Sequence, residues 1–400
     1  MAFSKNITAL YLIKISKWFT LVMPIIVLFY TEMGISVADV FILKSAYSVA
    51  MMMLDIPAGY LADTWGRRNC LLTGSICCFI GASCYTFADT FTVFLVAEIL
   101  LGAGQSLVSG ADSALLYDTM LHYKRENDYL KYEGRVTMIG NFSEAFAGIF
   151  GGLLAAYSLR LPFHVQCFIA FIGIPASLML TEHAARVQVK NSFRSLLKII
   201  HYSLFENREL CCNIMFSGII GAATLTMAWF VQPFLIEIET PTSWFGIIWT
   251  VLNLTVGVAA LCSDKLDSIL GTRKMYALIL LFITGGYVML SFSISNMGLL
   301  VLLLFYIVRG FATPILKGYI NQITFSEMRA TVLSIRNFII RLMFAAMAPL
   351  VGWLHDFYSL SSALQATAAI IFIPGLVFFI LEWKQHSHHT PREENGIIKE

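Results

Sequence analysis

Long apolar stretches separated by short polar segments run through almost the whole of this 400-residue chain. A helix needs roughly 20 apolar residues to cross the hydrocarbon core of a bilayer. In the first half, stretches of that kind cover residues 8–32, 37–62, 69–88, 91–117, 135–157 and 162–181. In the second half they cover residues 210–236, 244–263, 275–295, 297–320, 330–354 and 360–381. The pattern therefore predicts an all-α integral membrane protein with twelve transmembrane helices.

A polar, basic segment separates the sixth stretch from the seventh and divides the chain into two halves. We predict an N-terminal six-helix bundle over 1–181, a cytoplasmic linker over 182–209, a C-terminal six-helix bundle over 210–381 and a cytoplasmic tail over 382–400. Within the linker, apolar residues recur at helical spacing around 193–202, which is typical of a helix lying on a membrane surface. Two pseudo-symmetric halves with a site between them are a known transporter plan.

A weak internal repeat supports the two-half arrangement. Gly102 and Gly110 in the fourth helix are matched by Gly310 and Gly318 in the tenth, and both pairs are eight residues apart. Chance similarity between apolar helices is the alternative explanation.

The composition excludes an ordinary soluble domain, because 58% of the residues are hydrophobic and only 13% are charged, whereas soluble chains carry about 25% charged residues. The eight cysteines fall in or beside apolar stretches without a CxxC spacing, which favours small core residues over a disulfide framework. Neither a His-Glu-x-x-His sequence nor a phosphate-binding Gly-rich lysine loop occurs, so an ATP-driven pump and a metalloprotease have no support. We predict no enzyme activity, no cofactor and no metal.

The basic residues are distributed unevenly between the two sides of the predicted membrane. Twenty of the 27 Lys and Arg residues fall in segments on one side, and the opposite loops hold only Arg160. Cytoplasmic loops carry the excess of positive charge. Both termini are therefore predicted to be cytoplasmic.

The most informative segment joins the second and third stretches. It reads Gly-x-Leu-Ala-Asp-x-x-Gly-Arg-Arg, in the order Gly59, Leu61, Ala62, Asp63, Gly66, Arg67 and Arg68. Gly66 permits a sharp reversal, and the two arginines place fixed positive charge just outside the hydrocarbon. This order resembles the signature loop between helices two and three of the major facilitator superfamily. The alternative is a short turn whose charges merely obey membrane topology.

The resemblance implies a monomeric secondary transporter, and the chain looks most like the twelve-helix bacterial drug and metabolite branch. Residues 109–118 and 329–334 resemble a poorly characterised subgroup of that branch. In the family, the signature Asp and Arg engage the cytoplasmic end of helix eleven and latch the outward-facing state, which assigns that gating role to Asp63 and Arg67. Where the antiporters carry an arginine four residues before a glycine, this chain has Glu98 before Gly102. The helix-five antiporter signature also lacks its proline here, so its glycines are equally explained by close packing.

Charged residues within the predicted helices are costly in a bilayer and often mark function. The interiors of helices seven to twelve hold arginines and no acid, whereas the acids belong to the first half. We predict substrate binding by Arg309, Arg341, Asn141 and Asn337, and proton coupling by Glu98, Asp112 and Glu144. The alternative is a permanent ion pair between Glu144 and one of the second-half arginines.

Two further pairings follow from the depths of charged residues in the helices. Glu98 and Lys44 lie at similar depth and are positioned to pair. Asp112 and Asp55 lie nearer the cytoplasmic side, where Lys14 and Lys17 are positioned to neutralise their charges.

The favoured function is proton-coupled alternating access for a small anionic or zwitterionic organic solute, such as a carboxylate metabolite or siderophore. The alternative is a proton antiporter that exports hydrophobic or cationic drugs. The third class is a membrane-embedded enzyme or a receptor. It has little support, because no pair of a nucleophile and a base lies at a suitable depth in the predicted helices. The predicted partners are the small-molecule substrate, protons and the lipid bilayer, with no nucleic acid.

Overall fold

The computed structural model describes residues 2–125, 128–182, 193–325 and 328–386. Positions 183–192 of the predicted linker and 387–400 of the predicted tail lie outside these ranges. The described residues form fifteen α-helices and one π-helical turn at Tyr202–Glu206, and they contain no strand. The first-half helices are α1 Ala2–Trp18, α2 Ile26–Glu32, α3 Val37–Thr64, α4 Arg67–Phe87, α5 Phe91–His122, α6 Tyr129–Tyr157 and α7 Leu161–Met179. The remaining helices are α8 Phe193–His201, α9 Arg208–Glu237, α10 Thr242–Leu261, α11 Ser263–Leu270, α12 Thr272–Phe292, α13 Gly298–Gln322, α14 Arg329–Phe357 and α15 Leu360–His386.

Eleven helices among the described residues are long and apolar enough to cross a membrane. They coincide with the second to twelfth predicted stretches, which confirms the all-α membrane fold. The first predicted stretch, 8–32, is interrupted at residues 19–25 and forms two shorter helices, α1 and α2. Pro24 lies in the interruption, where it cannot continue a helix because it lacks a backbone N–H.

Two glutamine side chains satisfy backbone groups of this break. The Leu21 N–H donates to Gln166 Oε1 of α7 at 2.8 Å. From the other half, Gln232 of α9 accepts from the Val27 N–H at 2.7 Å and donates to the Met23 carbonyl at 2.8 Å. An exposed backbone polar group is costly in a bilayer, so these amides stabilise the break.

Replacing Gln232 by leucine is expected to lower the stability of the folded protein by about 1–3 kcal/mol, because it leaves a buried donor and acceptor of the break unpaired. The unfolding midpoint in detergent, measured at one fixed scan rate, tests this. Gln322→Leu, an exposed position at the end of α13, is the matched control. Equal midpoints for the two variants would contradict the role given to Gln232.

The helices of each half pack mainly on one another. The halves are joined mainly by two helix pairs, with a smaller contact between α2 and α9. In the first half α4 packs on α5 and α7, and in the second α12 packs on α13 and α15. Across the halves α3 packs on α14 and α6 on α10. The predicted repeat has a structural counterpart, because Gly102 of α5 packs on α3 and Gly310 of α13 packs on α10, each with its Cβ position 2.6 Å from a backbone carbonyl oxygen.

We name the two ends of the bundle after one arginine at each. The Arg160 end carries the turns at residues 33–36, 88–90, 158–160, 238–241 and 293–297. The Arg67 end carries the turns at residues 65–66, 123–125 and 180–182, and the connection from α10 to α12 that contains α11.

Close backbone contacts between the halves lie at the Arg160 end. A Cβ on Gly246 of α10 would stand 2.2 Å from the carbonyl oxygen of Gly148 of α6, and one on Gly352 of α14 would stand 2.8 Å from the Ala38 Cα of α3. The Ala38 N–H also donates to Asp356 Oδ2 at 2.7 Å. Gly148 and Gly152 of α6 therefore serve close packing between the halves.

Glycines nearer the Arg67 end have a different environment. Gly59 of α3, Gly134 of α6 and Gly318 of α13 have no neighbouring side chain or other helix within 4 Å of a Cβ position. Among the helices that meet at the Arg160 end, α3 and α6 thus carry glycines without neighbours towards the Arg67 end.

Candidate functional site

A cavity of about 200 Å³ lies in the first half, beside the break between α1 and α2. It is lined mostly by apolar side chains of α1, α3, α4, α5 and α7. Trp229 of α9 also lines it, so the cavity reaches the second half. Its charged lining residues are Lys17, Lys44 and Glu98.

Glu98 lies at the centre of a buried polar cluster on the cavity wall. Its Oε1 pairs with Lys44 Nζ, accepts a hydrogen bond from the Tyr30 hydroxyl at 3.1 Å and accepts another from Tyr85. The Glu98 side chain is 2% exposed and Lys44 is 4% exposed. The predicted pairing of Glu98 with Lys44 is therefore present in the structure.

Aromatic rings surround the ammonium group of Lys44. Its Nζ lies 5.5 Å from the ring centroid of Tyr30 and 4.7 Å from that of Trp229. A cation over an aromatic face is attracted by the ring quadrupole, most strongly by Trp. Because Trp229 belongs to the second half, this contact connects the Glu98 cluster to the interface between the halves.

A second polar group lies nearer the Arg67 end. Lys14 pairs with Asp112 at 3.7 Å, as the depth argument predicts. Lys17, one turn along α1, feels the charges of Asp112 and Asp55, but it has no ion pair within 4.0 Å and no hydrogen bond among the described residues. Lys17 therefore lines the cavity without an ion-pair partner among the described residues.

The second-half arginines lie outside the lining of this cavity. The guanidinium carbon of Arg309 lies 5.2 Å from the ring centroid of Tyr306, and Arg309 interacts electrostatically with Glu144 of α6. No ion pair within 4.0 Å joins Glu144 and Arg309 in the described part of the chain. Arg341 has a buried Nε without a hydrogen-bond partner and acts electrostatically on Tyr47 of α3.

The two predicted asparagines have different environments. Asn337 accepts a hydrogen bond from Arg336 at 3.2 Å, and Arg336 also donates to Ser217 at 2.5 Å. Asn141 is exposed on α6. The structure therefore brings Glu98 to the cavity and Asp112 to a neighbouring pair, and it leaves Arg309, Arg341, Asn141, Asn337 and Glu144 apart from both.

The signature segment forms the turn between α3 and α4. Gly66 has φ +105°, which only glycine adopts readily, and Asp63 lies in the last turn of α3. Arg67 pairs with Asp118 and donates to the Ala114 carbonyl at 2.5 Å, both on α5. Its backbone N–H donates to Glu182 Oε1 at 2.7 Å. Gly59 lies one turn before Asp63 in α3, and Arg68 donates to the Leu178 carbonyl at 3.2 Å.

Tyr85 and Gln166 are among the residues of the site that were not predicted from the sequence. Gln166 was detectable as a single amide in the apolar stretch 161–179. Tyr85 carries no comparable signal, because a tyrosine in an apolar helix usually reads as packing.

Comparison with known proteins agrees with this fold. The family model described as Major Facilitator Superfamily matches residues 15–238. The Quinolone resistance protein NorA of Staphylococcus aureus is 21% identical over 211 residues, which are 51% of this chain and 53% of that protein. The chain thus spans about half the length of this curated relative. An uncharacterised MFS-type transporter of Methanocaldococcus jannaschii is 20% identical over 284 residues, which are 69% of this chain and 71% of that protein.

Solved structures extend the likeness over nearly the whole chain. A variant of the nucleoside transporter NupG matches with a TM-score of 0.80 at 14% identity, covering 94% of this chain and 98% of that one. A bacterial homologue of the human lysosomal transporter Spinster, in an inward-facing and unoccupied conformation, matches with a TM-score of 0.75 at 13% identity. That match covers 98% of this chain and 99% of the other. At these identities the matches show the fold alone.

Proposed function

Because the chain belongs to the major facilitator superfamily, as the match to its family model shows, we propose that it is a secondary active transporter for a small anionic or zwitterionic organic solute. The solute class is a carboxylate metabolite or siderophore, and the movement is proton-coupled alternating access. The protein is a multi-pass membrane protein. In the proposal it acts as a monomer in the inner membrane, with both termini in the cytoplasm.

The main observation in favour of an anionic substrate is that two arginines of the second half have no acidic partner among the described residues. Neither Arg309 nor Arg341 has a carboxylate within 4.0 Å among the described residues, and the Arg341 Nε is buried without an acceptor. Arginine remains charged in proteins, and an unanswered charge at bilayer depth is costly. An anionic group on the substrate supplies the missing partner.

Alternating access is proposed from the contacts between the halves. The halves touch at the Arg160 end, and glycines towards the Arg67 end face open space. The Arg67 end is cytoplasmic in the predicted topology, so this arrangement corresponds to an inward-open state. The signature residues Asp63 and Arg67 then have their latching role in the opposite state.

Glu144 is the best placed of the three proposed proton-coupling acids. Glu98 and Asp112 already pair with lysines. Glu144 forms no hydrogen bond or ion pair within the described ranges and lies in the field of Arg309. Binding a proton neutralises a carboxylate in such a position, and an anionic substrate near Arg309 changes the field that acts on it.

Export of hydrophobic or cationic drugs is the second candidate function. The likeness to the Quinolone resistance protein NorA favours it, as does the largely apolar cavity with Trp229 in its wall. In that case Glu144 is the acid best placed to meet a cation, because Lys44 already neutralises Glu98.

Transport assays in proteoliposomes with an imposed pH gradient separate the two functions. The solute panel contains carboxylate metabolites and siderophores beside cationic dyes and a quinolone. We expect proton-dependent movement of a carboxylate. Movement of the dyes alone would overturn the anionic class.

Arg341→Gln is expected to lower the initial rate of carboxylate transport at least tenfold, since a hydrogen bond to a charged group contributes about 1.5–3 kcal/mol. Arg208→Gln, at an exposed position at the start of α9, is the control and retains the wild-type rate. The same rate in both variants would show that Arg341 is structural. Arg309→Gln, measured alongside, tests the second arginine in the same way.

A further inference from the structure

We propose that the cavity beside the break binds a small aromatic monocarboxylate, and that Lys17 holds its carboxylate group. This inference rests on the proposed function only in taking that ligand to be the transported solute. It concerns a binding site in the first half, separate from Arg309 and Arg341.

Lys17 is the one cation of the cavity wall without a partner among the described residues. Its neighbour Lys14 is occupied by Asp112 at 3.7 Å. Asp112 and Asp55 act on Lys17, but neither comes within the 4.0 Å of an ion pair. A ligand carboxylate in the cavity would meet this ammonium directly.

The charges of the cavity wall select the charge of the ligand. Lys44 and Glu98 form a buried pair and cancel. Lys17 then leaves the wall with one net positive charge. A monoanion is the complementary ligand, because a dianion or a cation would place uncompensated charge in a largely apolar cavity.

The volume and the aromatic lining of the cavity indicate the size and character of the uncharged part of the ligand. Cavities of about 150 Å³ hold a benzene ring, and this one has about 200 Å³. That leaves room for one ring and a carboxylate. Rings of Tyr47, Tyr85, Phe163 and Trp229 line the cavity and provide surfaces on which an aromatic ring packs.

The position of Lys17 also agrees with a ligand site. Lys17 is the penultimate residue of α1, and the interrupted backbone begins two residues later. Binding sites in secondary transporters are commonly built where a transmembrane helix is discontinuous. Thr20 of the break lines the same cavity and brings a second polar side chain to its wall.

Isothermal titration of the purified full-length protein in detergent with benzoate tests the site, with benzamide as the neutral analogue of equal shape. We expect saturable binding of benzoate, at least about tenfold tighter than that of benzamide, since the carboxylate makes a charge-assisted hydrogen bond. Lys17→Met should weaken benzoate binding at least about tenfold. Lys5→Met, the same change at an exposed position of α1, should leave it unchanged.

A second variant tests the cavity without altering charge. Ala170→Leu places a larger side chain into the lining and should abolish benzoate binding. Equal affinity for benzoate and benzamide, equal affinity of the Lys17→Met and wild-type proteins, or absence of saturable benzoate binding would each overturn the proposal.

The assays also separate failure of this inference from failure of the proposed function. Benzoate binding that depends on Lys17, in a protein that transports only cationic dyes, would support the site and overturn the anion transporter. Transport of other carboxylates without benzoate binding would overturn the site and leave the transporter function standing.

Discussion

Lys44→Met is expected to destabilise the folded protein by about 3–5 kcal/mol, because it leaves the buried Glu98 carboxylate without its counter-charge. Lys44 and Glu98 are 4% and 2% exposed, so the carboxylate left without its ammonium is poorly solvated. The fraction of protein that stays monodisperse after heating in detergent measures the loss. Lys198→Met, at an exposed position of α8, is the matched control and should behave as wild type.

The double variant Lys44→Met/Glu98→Gln distinguishes two causes of the lost stability. One is a buried carboxylate without its counter-charge, and the other is the lost packing of the lysine side chain. Without the carboxylate no charge is stranded, and the amide that replaces it can still accept from Tyr30 and Tyr85. Most of the lost stability should therefore return. If the single variant were as stable as wild type, or if the double variant were no more stable than the single one, the buried ion pair would not be the source of the effect.

Gly246→Leu is expected to shift the protein away from the state in which the halves touch at the Arg160 end. A Cβ at this position would stand 2.2 Å from the Gly148 carbonyl oxygen and 3.0 Å from the Gly152 Cα. These neighbours are backbone atoms, so a rotamer change cannot relieve the overlap. Overpacking typically costs about 1–3 kcal/mol, which changes the population of the contacting state by roughly a factor of 5–150.

Hydrogen–deuterium exchange followed by mass spectrometry measures this shift. Peptides from the second half of α6 and the first half of α10 should exchange faster in Gly246→Leu, because these segments form the contact. Gly257→Leu is the matched control on the same helix, since no neighbouring helix or side chain lies within 4 Å of its Cβ position. Faster exchange in both variants, or in neither, would contradict a specific role for Gly246.

The length of the apolar stretches identified the spanning helices from the sequence, because a bilayer imposes a minimum length on every spanning element. Depth within a helix also paired Glu98 with Lys44 and Asp112 with Lys14, as the structure has them. The ion pair expected of Lys17 at the same depth is absent among the described residues. These inferences needed only local sequence and the thickness of the membrane.

The break in the first apolar stretch was harder to predict from the sequence. Pro24 indicated a kink, but a full interruption depends on partners for the freed backbone groups. Those partners are Gln166 and Gln232, which lie 145 and 209 residues along the chain from Leu21 and Met23, respectively. The cavity depends on this break, so its lining by Lys17 and Tyr85 could not be read from any one segment.

The chemistry of the contact between the halves has a consequence for its response to ionic strength. The ion pairs Lys14–Asp112, Lys44–Glu98 and Arg67–Asp118 each join residues of the first half. Most contacts across the halves are instead glycine backbones, aromatic rings and the amide of Gln232. The charged groups among them are Asp356, which accepts from the Ala38 N–H, and Lys44, which lies over the ring of Trp229. Dissolved salt weakens interactions between charges and hardly affects packing or neutral hydrogen bonds. Separation of the halves should therefore depend only weakly on the salt concentration.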